Sequence, residues 1–214
     1  MPCLSPYIGA YRTDYPSVLV GATSAYAYNV YAIDLYTALA TTMTGMPAQV
    51  TAPLTITDLG SDVSQHIGSR LAVSTTFAAT SSAAAGRYPI TLNASTGGTA
   101  MIPSTISLDV LSATLTISPS GTLPTVSSSA TLAYTLTFSG PGGTGPLTPS
   151  CSIDGTPTGI AVSVNPATLP AAGGTATATI SVTPGTVTNY QTIRCNGSGT
   201  GVYIRAVADQ FHVI

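Results

Sequence analysis

Two histidines, three cysteines and seven aspartates are the side chains of this 214-residue chain best suited to acid–base, nucleophilic or metal chemistry, and they do not converge in sequence. His66 and His212 each stand without a second His or Cys at metal-ligand spacing, which fits structural or solvent-facing imidazoles better than ligands. Paired carboxylates for glycoside hydrolysis would have to come from Asp alone, because the chain contains no Glu. Gly-x-Ser-x-Gly, the strand-to-helix elbow that exposes a nucleophilic serine, does not occur. The loop Asp58-Leu59-Gly60-Ser61-Asp62 could hold a Ca²⁺ between Asp58, Asp62 and backbone carbonyls, but it lacks EF-hand spacing and reads more simply as a polar turn. Asp14, Asp34, Asp109, Asp154 and Asp209 are isolated and read as turn or edge residues. The expectation is a protein that is not an enzyme and takes no cofactor.

Composition narrows the partners. There is no Lys, and charged residues make up 6% of the chain, where a typical soluble domain is about one quarter charged. Five scattered Arg and a net charge of −2 offer no footprint for a phosphate backbone, which excludes nucleic acid. Thr, Ser, Gly or Pro interrupts every apolar run short of the roughly 20 residues of a membrane-spanning helix. Hydroxyls and backbone groups must carry the wet surface. That composition suits an extracellular or cell-surface protein whose copies pack without like-charge repulsion.

Cys151 and Cys195 both fall in the C-terminal half, and a bridge between them would imply an oxidising compartment and contribute on the order of 3–4 kcal/mol. The alternative is two buried free thiols. Cys3, left over in the N-terminal stretch, could pair between subunits, anchor a lipid or play no part. Residues 1–6 show neither the basic nor the apolar region of a secretory signal, so an exported chain would be present in trimmed form. Asn93-Ala94-Ser95 and Asn196-Gly197-Ser198 are acceptor sequons, expected where the penultimate strand of each half leaves its sheet.

The elements that would position these residues are strands. Thr, Val, Ile and Tyr favour a pleated, half-buried surface, while good helix formers such as Lys and Glu are missing. Period-two alternation marks 113–117, 130–138, 160–164, 175–182, 190–195 and 202–208 as strands, separated by Gly, Pro and Ser clusters. The first half repeats the plan at 17–20, 24–35, 54–56, 71–77, 87–93 and 105–110. Alanine-rich pieces at 36–41 and 82–85 are where a helical turn could intrude. Residues 1–16, with Pro2, Pro6 and Pro16 and tyrosines at 7, 11 and 15, predict an extended arm. The domains expected are therefore the arm 1–16 and two β-sandwiches, 17–110 and 111–214.

Ala85-Gly86-Arg87-Tyr88-Pro89-Ile90-Thr91-Leu92-Asn93-Ala94, and Asn165 onward through the alternating Thr/Ala run to Val182, resemble the late strands of bacterial and archaeal immunoglobulin-like modules. The resemblance implies an all-β fold of two tandem immunoglobulin-like antiparallel sandwiches, with a tyrosine packed at the corner before the penultimate strand. Tyr88 shares a face with Ile90 and Leu92, but Tyr190 lies opposite Ile193, so Tyr190 either faces solvent or follows a bulge. Such modules recur in surface proteins, adhesins, filament subunits, secreted glycosidases and phage tails. The reading that follows is a structural subunit of an extracellular filament or surface layer, a homopolymer joined by strand addition through Tyr7, Ile8 and Tyr11 of the arm or through the last strand. An adhesin stalk or carbohydrate-associated spacer, with glycans as partners and Tyr as the sole sugar platform in a chain without Trp, is the second reading, and a phage decoration protein the third.

Overall fold

A computed structural model of the chain describes residues 15–33, 39–61, 67–96, 99–100, 103–140, 145–186 and 189–214. Regular structure among them is all β-strand, in two compact units, Met1–Val110 and Leu111–Ile214, each with its own apolar core.

The first unit contains β1 (Ser17–Leu19), β2 (Thr23–Ile33), β3 (Leu39–Thr44), β4 (Val50–Thr51), β5 (Leu54–Asp58), β6 (Ile67–Ala79), β7 (Gly86–Thr96), β8 (Thr99–Ala100) and β9 (Ser104–Leu111). One sheet runs β1-β9-β7-β3 with β8 beside β7, and the other runs β2-β6-β4 with β5 also on β6. Alternation places Tyr26, Tyr28 and Val30 of β2 and Leu71, Val73 and Phe77 of β6 inside, against Ile90, Leu92, Leu108 and Val110 of the facing sheet. Each such side chain contributes roughly 1.5–3 kcal/mol by leaving water.

The second unit contains β10 (Thr114–Ser118), β11 (Thr125–Val126), β12 (Thr131–Ser139), β13 (Thr148–Ile153), β14 (Ile160–Asn165), β15 (Gly173–Val182), β16 (Asn189–Ser198) and β17 (Val207–Val213). Its sheets run β10-β12-β15-β14 and β11-β17-β16-β13, with β11 parallel to β17. Tyr134, Leu136, Phe138, Ala178, Ile180, Ile193 and Phe211 fill the space between them.

Several sequence expectations give way. The alanine-rich piece that could have turned as a helix enters β3 from Leu39, where pairing with β7 overrides propensity, and Thr41 is buried with its hydroxyl bonded to the Asn93 carbonyl at 2.8 Å. Residues 82–85 hold a turn and irregular chain, not a helix. The last strand begins at Val207, not at 202, because Tyr203 spends its backbone groups on Ser112: its N–H donates to the Ser112 hydroxyl and its carbonyl accepts from the Ser112 N–H. Asp109 is neither a turn nor an edge residue. It lies in β9, flanked by β1 and β7, with no exposed side-chain surface. Asp209 is likewise inside β17, on the face shared with Phe211 and Val213.

Candidate functional site

The outer face of β16 and β17 carries an exposed aromatic ring and a row of polar side chains. Register pairs Tyr190 with His212, Thr192 with Gln210 and Arg194 with Ala208, so these side chains form successive rows on one face. Tyr190 is 59% exposed, and its ring stacks on His212 with centroids 4.5 Å apart and planes 19° apart. The alternatives for Tyr190 thus resolve in favour of solvent, with no register shift in the strand pair. Its counterpart Tyr88 is a corner tyrosine, packed against the core and donating its hydroxyl to the Ala84 carbonyl at 2.9 Å.

Next along the same face, Arg194 donates from Nε and Nη2 to the two carboxylate oxygens of Asp154 at 3.3 and 3.0 Å. These bonds and the Asp154 charge raise the Arg194 pKa. An open hollow of about 320 Å³ is lined by Thr192 and Gln210 together with Gly121, Leu123, Ala208 and Asp209. The backbone N–H of Gly121 donates to Asp209 Oδ1 at 3.1 Å. Beneath the sheet, Asp209 Oδ2 and the Tyr134 hydroxyl are both buried without a hydrogen-bond partner. Burial, and secondarily the Asp209 charge, push the Tyr134 pKa up to about 12.

Cys151 and Cys195 are joined by a disulfide and sit opposite each other on adjacent strands β13 and β16, with Cα atoms 4.1 Å apart. The bond crosses strands of one sheet, whereas the antibody-type bridge crosses between sheets. Cys195 faces the core at 1% exposure.

In the first unit the polar cluster is Arg87, Asp109 and Tyr15. Arg87 donates from Nε and Nη2 to Asp109 Oδ1 and Oδ2 at 2.8 and 3.2 Å, and its guanidinium lies 5.5 Å from the Tyr15 ring centroid. The Asp109 N–H donates to the Pro16 carbonyl at 3.0 Å, which fastens the start of the described chain to β9. Tyr28 donates to or accepts from Thr41 at 3.1 Å, and burial raises its pKa against the opposing effect of that bond.

The sequence-predicted candidates scatter. Asp58 ends β5 and accepts the Gly60 N–H at 2.8 Å, a polar turn, while Asp62 lies outside the described residues. His66, Cys3 and the arm residues Tyr7, Ile8 and Tyr11 also lie outside them. The sequons were expected where strands leave their sheets; instead Asn93 is within β7, donating from Nδ2 to the Thr44 hydroxyl at 3.1 Å, and Asn196 is exposed within β16. Among the described residues no three His, Cys, Asp or Glu side chains come together as a metal site, and no helix is long and apolar enough to cross a membrane. Sequence reasoning missed the Arg87–Asp109 pair and the Tyr190–His212 stack, since both depend on the register between paired strands.

No family model and no curated protein matches the chain. Among solved structures it is similar to domains 4 and 5 of the S-layer protein SbsC, at 15% identity over 75% of this chain and 76% of that one, with a TM-score of 0.36. It is also similar to the D00-D0 domain of intimin, at 12% identity over 94% of this chain and 96% of that one, with a TM-score of 0.32. The Yersinia pseudotuberculosis adhesin InvE is matched at 12% identity over 92% of this chain and 56% of that one, with a TM-score of 0.31. With identity and superposition this low, function has to be argued from the chain's own residues.

Proposed function

We propose that the protein is a non-catalytic structural module of the extracellular space or cell surface, and that its copies join by strand addition. The observation that carries this reading is β2. It is 11 residues long, has no charged residue and no proline, and stands at one end of the strand order β2-β6-β4. Natural edge strands of that length are usually blunted by Lys, charge, proline or cover, because their unpaired N–H and C=O groups recruit further strands. The Cys151–Cys195 disulfide supports an oxidising compartment, and the scarcity of charge removes repulsion between repeated copies. The arm, through Tyr7, Ile8 and Tyr11, is the donor we favour. The alternative donor named from the sequence, the last strand, is already bonded as β17 between β11 and β16.

Repeating one such contact head to tail gives an open fibre. The test is assembly of the full chain, followed by sedimentation and negative-stain microscopy, against two variants: deletion of residues 1–14, and Ala27→Lys on the exposed face of β2. Loss of fibres in both variants with unchanged melting supports strand addition. A monodisperse rod from the unaltered chain overturns it in favour of a stalk or spacer, and fibres that persist in both variants place the contact elsewhere.

A further inference from the structure

We propose that the outer face of β16 and β17 is a binding platform for a neutral carbohydrate, with one pyranose unit in the hollow over Thr192 and Gln210 and the next against the Tyr190 ring. A sugar site needs an exposed aromatic surface for the apolar C–H face of the ring, and beside it side chains able both to donate and to accept hydrogen bonds from hydroxyls. Tyr190 supplies the first. Its 59% exposure is the largest among the exposed large apolar side chains of the described residues, and His212 braces one side of the ring, so the side chain is held upright and loses little freedom when a ligand arrives. The Thr192 hydroxyl and Gln210 amide supply the second, paired across the strands one row from the rings, at the roughly 7 Å spacing of alternate strand residues.

The hollow beside them is about 320 Å³, at the lower end of the range for small-molecule sites, and Leu123, 40% exposed, forms its apolar wall. Charge selects the class of glycan. Among the described residues the arginine on this face, Arg194, is already held bidentate by Asp154, and Asp209 borders the hollow, an arrangement that suits an uncharged sugar better than a carboxylated or sulfated one. The inference does not rest on strand addition, since the platform lies in the second unit and the β2 edge in the first.

The experiment titrates the full chain, kept at a concentration where it sediments as a monomer, with cellotetraose and chitotetraose up to about 10 mM, following tyrosine fluorescence and amide shifts. The expected result is saturable binding at roughly millimolar concentration, with shifts at Tyr190, Thr192, Gln210 and His212. Tyr190→Ala and Gln210→Ala should each weaken it about tenfold, and Tyr190→Phe by no more than about twofold, with melting unchanged in all three. Absence of binding by both oligosaccharides, or binding that Tyr190→Ala leaves intact, overturns the proposal. So does a Tyr190→Ala variant whose only change is in self-association, which would make this face a contact between copies.

Discussion

Replacing Arg87 by Gln should destabilise the first unit well beyond what a half-exposed surface residue ordinarily costs. Asp109 has no side-chain exposure, whereas Arg87 keeps 52%, so the guanidinium stays largely in water while its fork satisfies a carboxylate that is not. Removing one partner of a fully buried pair costs about 3–5 kcal/mol. Here water can reach the vacated side, so about 2–3 kcal/mol is expected, including about 0.5 kcal/mol for the lost contact with Tyr15. For a unit of about 100 residues that corresponds to a melting shift of roughly 10–20 °C. Calorimetry of the full chain, with urea unfolding followed by tyrosine fluorescence, measures it. Removing the charge as well, in Arg87→Gln with Asp109→Asn, should recover part of the loss, since the amide is far cheaper to bury than the carboxylate. A cost below about 0.5 kcal/mol for Arg87→Gln, or a double variant no more stable than that single one, would refute the argument.

In the second unit, Tyr134→Phe removes a buried hydroxyl that has no partner and should leave stability unchanged or raise it by up to about 1 kcal/mol, read from urea midpoints at neutral pH. The raised Tyr134 pKa, about 12, favours the neutral phenol in the folded chain. Its contribution is therefore complete below the unfolded value of 10 and is lost as pH climbs through 12, so the unaltered chain should lose more stability than Tyr134→Phe over that interval. Cys151→Ser with Cys195→Ser opens a loop with a sequence separation of 44 and should cost about 3–4 kcal/mol; a melting point indifferent to reductant would contradict this. Gly197→Ala would place its Cβ 2.7 Å from a Phe138 ring carbon and 3.1 Å from Ile204, so destabilisation of about 1–3 kcal/mol is expected in thermal melts.

The sequence by itself determined the class of fold and the inward face of most strands. Alternation is a local property of period two, so Tyr134, Leu136 and Phe138 of β12, or Ile193 and Cys195 of β16, declare a common face without any knowledge of their neighbours. The same locality explains why a helix was nowhere required. What the sequence could not declare is which strand lies beside which. Arg87 and Asp109, and Tyr190 and His212, become neighbours through register between residues 22 apart in the chain, and a slip of one residue would turn each pair to opposite faces, whereas the Cys151–Cys195 bridge was legible because the second half holds just these two cysteines. Three hydrogen bonds between Ser112 and Tyr203 move the start of the last strand to Val207, a decision made across 91 residues of chain. Tertiary pairing also turned the Thr- and Ala-rich stretch of β3 into a strand, because bonding to β7 and the buried Thr41 hydroxyl outweigh the weak helical preference of alanine. Composition set the kind of surface this protein has; register alone decided where on that surface its aromatic and charged groups meet.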